Sequence, residues 1–454
     1  MQLKTLILAA GKGTRMKSNL PKVLHKLNQK ALIDYSLDLS ALVSDLKPIV
    51  VIGHKAELVK EYIKGRAVYV YQKQQLGTGD AVKAAFSEIN EADDVLITCA
   101  DTPLIKKETI AGLIDAYSQN DAAVLISQTE EPFGYGRIIL DDKDRFLKIV
   151  EEKDADSEEK KVTFINAGIY IVKGHNLKKY INKLETNNSQ GEFYLTDIFS
   201  LMVKDGLKVA VSKAEFSEIL GVNSQVQLEQ AREIVQNRIN LKHMENGVTI
   251  INPKTVYIDE DSIIANDVMI YPETYISKSD ISSGCVIGPN TTINDSKIEE
   301  NVNIKYSYIE SSHVDSNTTI GPFSHLRPGA LIGKNAKIGN FVEIKNSSLG
   351  DGSKASHLAY VGDADVGKNV NIGCGVIFVN YDGAKKYRSV VKDGAFVGSN
   401  SNIVAPVILN EQAYVACGST ITCEVPKGAL CIERTKPKIV EGWVEKRKIF
   451  DKNR

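Results

Sequence analysis

Up to residue 225, short apolar runs alternate with amphipathic stretches. The runs at 5–10, 49–53, 67–71, 95–100, 122–127 and 165–172 predict strands, with helices between them at 80–89 and Lys107–Tyr117. Strands that alternate with helices build βαβ units, so the expectation is a mainly parallel sheet covered on both faces. The stretch QVQLEQAREIVQNRINLKHME (225–245) has neither Gly nor Pro, and Leu228, Ala231, Ile234, Val235, Ile239 and Leu241 fall near helical spacing. It predicts one long connecting helix.

Beyond Gly247 the period changes. Ile258, Ile264, Ile270 and Ile276 stand six residues apart, as do Val314, Ile320, Leu326, Ile332, Ile338 and Ile344, and again Val397, Ile403, Leu409, Val415 and Ile421. Gly often follows the aliphatic residue, as in Ile320-Gly321 and Ile372-Gly373. Neither a helical nor a strand period yields a strict six. A parallel β-helix does, each hexad being one short strand plus a turn whose aliphatic residue enters a continuous core. Such coils stack as a solenoid. The phase breaks between Phe378 and Val397, where VNYDGAKKYRSVVKDG (379–394) predicts an extruded loop. The expected organisation is α/β over 1–226, a linker helix over 227–247, and all-β over 248–454, ending in a basic tail with the only Trp, Trp443. The structural alternative for the repeat is a passive spacer or an oligomerisation rod.

Charge narrows the partners. Lys and Arg number 56 against 57 Asp and Glu, so the formal net charge is −1 and nothing attracts nucleic acid or anionic lipid in general. Any bound anion must be held by local groups. A length of 454 residues suits two or three domains, and 43% hydrophobic with 25% charged residues excludes wholesale disorder. No apolar run approaches the ~20 residues of a membrane span. The apolar stretch at 3–10 runs straight into Gly11-Lys12-Gly13, without the context of a signal peptide. The six Cys (99, 285, 374, 417, 423 and 431) include no C-x-x-C pair, which favours free thiols in a reducing cytoplasm. A cytoplasmic protein with no nucleic-acid or membrane partner is expected.

Candidate chemistry clusters at strand ends. Leu8-Ala9-Ala10-Gly11-Lys12-Gly13-Thr14-Arg15 follows the first predicted strand, and Pro21-Lys22 comes soon after. A Gly-rich turn there lets backbone N–H groups approach a phosphate or a base edge. A dinucleotide fingerprint lacks its third Gly, and a Walker loop lacks G-x-x-x-x-G-K-[ST]. Asp101 ends an apolar strand at the sheet's carboxyl edge, where such folds bind ligands; a helix N-cap is the plainer alternative. Gln72 and Gln75-Leu76-Gly77-Thr78-Gly79 offer amide and backbone groups suited to a pyrimidine. Polar breaks at Gly134–Arg137 (GYGR), 150–153 (VEEK), 166–168 (NAG) and 221–223 (GVN) suggest a sugar and metal site.

In the repeat, Gly339-Asn340-Phe341-Val342-Glu343-Ile344-Lys345 precedes Ser356-His357-Leu358-Ala359-Tyr360-Val361-Gly362-Asp363. A carboxylate that orients an imidazole makes a general base, and Glu343 could approach His357 from the preceding coil. A purely structural His is the alternative, and spacing does not choose among His313, His325 and His357. Asn380, Tyr381 and Ser399 carry groups able to steady an oxyanion. Cys374, Cys417 and Cys431 raise a covalent acyl-thioester alternative.

Taken together these motifs resemble the bacterial family of bifunctional N-acetylglucosamine-1-phosphate uridylyltransferases / glucosamine-1-phosphate N-acetyltransferases, over essentially the whole chain. The resemblance implies a Rossmann-like nucleotidyltransferase domain and a left-handed parallel β-helix that forms a homotrimer. It implies Leu8, Ala9, Ala10, Gly11, Gln72, Gly77 and Thr78 around the uracil nucleotide of UTP, with Arg15 and Lys22 on its phosphates. Gly136, Glu151 and Asn166 would hold the N-acetylglucosamine moiety, and Asp101 with Asn223 would bind Mg2+. Arg327, Lys345, Tyr360 and Asn371 would grip glucosamine-1-phosphate, with His357 as base and Glu343 supporting it. Cys374, Asn380, Tyr381, Ser399, Cys417 and Arg434 would line the acetyl-CoA site. The sequence departs from the familiar pattern at Cys99-Ala100, where Tyr-Gly is usual, and at Cys374 and Cys417, where Ala is usual. The competing functional reading is a monofunctional sugar-1-phosphate nucleotidylyltransferase with a structural or regulatory β-helix.

Overall fold

Residues 3–447 are described by a computed structural model, in which the chain divides into two units between Val235 and Gln236. The first unit is built on nine strands: β1 (Leu3–Leu8), β2 (Ile49–Ile52), β3 (Val68–Tyr71), β4 (Asp94–Cys99), β5 (Ala122–Gln128), β6 (Arg137–Leu140), β7 (Phe146–Val150), β8 (Phe164–Lys173) and β9 (Val209–Lys213). Their order is β9-β5-β8-β4-β1-β2-β3, with the β6–β7 hairpin attached at β8. The pairs β1–β2, β1–β4, β2–β3 and β5–β9 are parallel. The expected parallel sheet is interrupted by β8, which runs antiparallel to both β4 and β5. The chain reaches β8 through a hairpin rather than a crossover helix, and only a crossover returns a strand parallel.

Apolar runs become the central strands because both faces are covered: all four residues of β2 are buried, as are Val95, Leu96 and Ile97 of β4. The second predicted helix coincides with Lys107–Tyr117, while the first is shorter than expected and spans Thr78–Ala84. The β1–β4 register sets Leu8 opposite Cys99. Residues 8–11 and Asp101 therefore leave the sheet at one edge.

The helix Gln225–Glu245 forms as its spacing predicts. Within the second unit its last turns seat the first coil: Asn240 Nδ2 donates to the Pro253 and Val256 carbonyls at 2.9 and 3.0 Å, and Gln236 Nε2 to that of Ile258 at 3.1 Å. Three parallel sheets of 11, 10 and 9 strands follow, closing a left-handed β-helix. The hexad residues line its core, stacked in register, as Ile304 on Ile320 on Ile338. The predicted loop at 379–394 is longer than the real one. Strands Ile377–Val379 and Ser389–Val391 flank an excursion of 380–388, and Val391 lies in the core between Val366 and Leu409. Val391 stands six residues before Val397, so the hexad phase has already resumed there.

Residues 432–447 are exposed, including the short helix Trp443–Arg447. The rest of the expected basic tail, 448–454, lies outside the described residues. Among the described residues no helix is long and apolar enough to cross a membrane.

Candidate functional sites

In the first unit, Leu8, Ala9, Ala10, Gly11, Lys22, Gln72, Gly77, Thr78 and Asp101 line one cleft, joined by Gln75, Cys99 and Glu192. Local geometry explains why the glycines stand where they do. Gly13 has φ +60°, and a Cβ on it would lie 2.7 Å from the Lys22 Cβ, so the turn and the lysine stem pack only without a side chain. Gly77 has φ +117°, and a Cβ there would lie 2.5 Å from the Phe193 carbonyl oxygen. That turn is fastened to 193–195 by Gly79 N–H to the Phe193 carbonyl (2.8 Å) and Leu195 N–H to Thr78 Oγ1 (3.0 Å). Gln72 is buried, and its Nε2 donates to the Gly77 carbonyl (3.1 Å) and to Asp80 Oδ2 (2.8 Å). Its amide is thus held with the oxygen as the uncommitted end. Arg15 is exposed on the turn Thr14–Met16 and does not line the cleft.

The Lys22 ammonium donates to Asp101 Oδ2 and, at 3.0 Å, to Asn223 Oδ1. Asn223 is brought there by the Val222 N–H, which bonds to the Asp101 carbonyl at 2.7 Å. Two hard oxygens therefore converge on one cation. This donor set fits a divalent ion such as Mg2+, which takes one or two protein ligands and fills its shell with water and phosphate oxygens. The thiol of Cys99, just before the pair, is pushed up to about 12 by desolvation and by the Asp101 charge.

Gly136, Glu151 and Asn166 meet in a second cluster. Asn166 N–H bonds to the Gly136 carbonyl at 2.9 Å, and a Cβ on Gly136 would stand 3.4 Å from Glu151 Oε2. Glu151 Oε1 accepts from the Thr196 hydroxyl at 2.9 Å. Burial raises its carboxyl above the usual range, with Asp197 and Asp154 adding to the effect. Thr196 follows Leu195, so the clamp on Thr78 leads directly to this cluster. Asp80 and Thr196 had no motif to announce them, since each acts only by holding another residue.

In the second unit, successive turns of one corner carry His357, Cys374, Ser399 and Cys417. The turns are tied by Leu358 N–H to the Asn340 carbonyl (2.9 Å), Gly375 to Leu358 (2.7 Å), Asn400 to Cys374 (2.7 Å) and Gly418 to Ser399 (2.8 Å). His357, Cys374 and Cys417 are exposed. Arg327, Glu343, Lys345 and Tyr360 sit together on the following sheet, where Glu343 stacks between His325 and Tyr360. Lys386 lies beside Lys345 and, with Arg327, holds its ammonium below the ordinary lysine value. Asn371 lies on the sheet before the corner, between Lys354 and Phe396. Asn380 is buried at the start of the excursion, where Tyr381 pairs with Lys386, and Arg434 is exposed on the tail.

The expected support of His357 by Glu343 is not formed within the chain. Glu343 Oε1 is taken by Arg327 Nη1 at 2.7 Å, and the residue in register with His357 is Asn340. An equal interval does produce a pair elsewhere, His313 with Glu299 at 3.3 Å.

A nucleotide-type cleft at the sheet edge and a polar corner on a hexapeptide coil define a two-domain transferase. Residues 5–164 match the MobA-like NTP transferase domain, and 311–346 match the bacterial transferase hexapeptide (six repeats). A relative from Clostridioides difficile (strain 630), named bifunctional protein GlmU, is 51% identical over 98% of both chains. Relatives of the same name from Alkaliphilus metalliredigens and Acetivibrio thermocellus are 46% and 45% identical, over 100% and 98% of each chain. The chain belongs to the bifunctional GlmU family.

Proposed function

We propose that the chain is a bifunctional enzyme of UDP-N-acetylglucosamine synthesis. The second unit acetylates glucosamine-1-phosphate with acetyl-CoA, and the first then transfers UMP from UTP to N-acetylglucosamine-1-phosphate. The observation that carries this reading is the full-length likeness to bifunctional relatives; the cleft of the first unit, which gathers most of its candidate groups, supports it.

In the first unit, a phosphate oxygen of the sugar phosphate attacks the α-phosphorus of UTP in line, and the bond to pyrophosphate breaks. Such a transfer depends on alignment and charge neutralisation more than on covalent help. The backbone at 8–11 and the oriented Gln72 oxygen receive the uracil, whose N3–H is a donor. Gly136, Glu151 and Asn166 receive the sugar. Lys22 supplies fixed positive charge in the cleft, and Arg15 adds charge from the exposed turn beside it. Asp101 and Asn223 would hold Mg2+, which when bound neutralises and aligns phosphate oxygens.

In the second unit, Arg327, Lys345 and Tyr360 gather on one sheet, and Lys386 of the excursion lies beside Lys345, a set of cations and a hydroxyl suited to a sugar phosphate; Asn371, on the neighbouring sheet, would add an amide. The sugar amine attacks the thioester carbonyl, His357 takes a proton from it, and CoA leaves as its thiol. Cys374, Asn380, Tyr381, Ser399, Cys417 and Arg434 contact acetyl-CoA. The assembly is a homotrimer. Its support is an exposed ridge of Tyr306, Phe323, Phe341 and Leu358 at successive corners, all at positive φ, with the rings of Phe323 and Phe341 stacked 5.5 Å apart. An apolar ridge of this kind marks an interaction surface.

A double dissociation tests the reading. Asp101→Asn is expected to cut uridylyl transfer by at least about 100-fold and to spare CoA release from acetyl-CoA and glucosamine-1-phosphate. His357→Ala is expected to do the reverse. A wild-type protein that releases no CoA thiol would leave the monofunctional alternative.

A further inference from the structure

The excursion 380–388 leaves and rejoins the β-helix against a single buried residue, Asp363. At the exit, Asn380 Nδ2 donates to Asp363 Oδ2; at the return, Ser389 N–H bonds to the Asp363 carbonyl at 3.1 Å. The other carboxylate oxygen accepts from Asn346 Nδ2 at 2.6 Å. Arg388 fastens the same edge through Asp365 (2.6 Å) and the Asn346 carbonyl (2.9 Å).

A carboxylate only accepts hydrogen bonds, so the carboxamide facing it must turn its NH2 inward. The Asn380 nitrogen also faces the Tyr360 hydroxyl at 3.5 Å. No donor among the described residues reaches the Asn380 carboxamide oxygen, which is the end left for a ligand. This orientation reverses the role expected of Asn380. An oxyanion needs a donor, whereas an incoming amine needs an acceptor.

We propose that Asp363 is a positioning residue for acetyl transfer: it fixes the polarity of Asn380 so that the carboxamide oxygen receives an N–H of the acceptor amine. The proposal rests on the acetyl-transfer reading above. Stabilisation of the oxyanion then falls to other groups, Ser399 among them.

The test is a swap of polarity in the full-length protein, read as CoA thiol release. In Asp363→Asn the new amide presents NH2 to Asn380, which turns its oxygen inward. The expected result is a kcat lower by at least about tenfold, with KM for acetyl-CoA within about twofold. Adding Asn380→Asp restores an acceptor on the ligand side, since one oxygen of the introduced carboxylate takes an N–H of the introduced amide and the other is free. The double variant is expected to recover at least about fivefold over Asp363→Asn. Asn346→Ser, which removes only the other donor, is expected to stay within about twofold of wild type. Undiminished kcat in Asp363→Asn, no recovery in the double variant, or an equal loss in Asn346→Ser would each overturn the proposal. If Asp363→Asn falls below wild-type thermal stability, the double variant is compared with wild type, and a deficit beyond about threefold overturns it. Failure of the acetyl-transfer reading itself shows separately, as wild-type protein that releases no CoA.

Discussion

Glu151 carries a cost of burial. Burial raises its carboxyl, Asp197 and Asp154 add to this, and the Thr196 hydroxyl only partly opposes them. An acid whose folded value lies above its unfolded one binds protons more readily when folded, so stability falls as pH rises through that window. Glu151→Gln keeps an oxygen for Thr196 and removes the buried charge. Its thermal midpoint at pH 8 is therefore expected to exceed wild type by about 2 °C, with the difference closing as pH falls toward the ordinary glutamate value of 4.5. A calorimetric series across pH checks this, and an unchanged difference at every pH would deny that the charge is the cause. With Glu151 as the proposed acceptor for the sugar, the same variant is expected to raise KM for N-acetylglucosamine-1-phosphate. At the other site, Cys374 occupies the turn stacked on that of His357, which is the geometry an acyl-enzyme would need. Direct transfer predicts that Cys374→Ala keeps CoA release within about threefold while His357→Ala loses at least about 100-fold. A labelled acetyl group that stays with wild-type protein through gel filtration would reverse that ranking.

Each hexad stands on one inward side chain, so the β-helix is sensitive where such a residue is large. Phe378 is fully buried in Ile377–Val379, immediately before the excursion. Phe378→Ala is expected to destabilise the second unit by about 3–5 kcal/mol, read from urea unfolding. Uridylyl transfer should persist in that variant, because the groups proposed for it all lie in the first unit. The same dependence made this half legible in the sequence: a strict period of six admits one architecture, and its inward residues are the ones found buried. What the interval could not supply was phase. Glu343 precedes Ile344 and faces out from one sheet, while His357 follows Ala355 by two residues and lies at the corner of another. Glu299 and His313 flank neighbouring inward residues of a single sheet, Ile298 and Val314, and do meet. In the first unit the long apolar strands were legible, but the β6–β7 hairpin and β9 were not. Edge strands of mixed burial carry no strong period. The bulge between Asn166 and Tyr170 also left no periodic mark. It turns on Gly168 at φ +72°, whose N–H is capped by Asn166 Oδ1 at 3.0 Å.

At the scale of the whole molecule, the groups proposed for acetyl transfer lie in separate places within one chain. His357, Cys374, Ser399 and Cys417 share a corner, Arg327, Glu343, Lys345 and Tyr360 share a sheet, and Arg434 lies exposed on the tail. Within one chain Glu343 is held by Arg327, not by His357. An exposed aromatic ridge flanks the same corner. A closed ring of three copies would cover that ridge and bring a neighbour's tail to the corner. Complementation tests this directly. His357→Ala and Arg434→Ala proteins are each expected to be deficient in CoA release. If every site takes His357 from one protomer and Arg434 from another, random co-assembly leaves about a quarter of the sites intact in both residues. Co-refolded equimolar mixtures should then recover about a quarter of wild-type activity, while the separate variants stay at their own levels. Mixtures no better than the mean of the two variants would place each site within one chain.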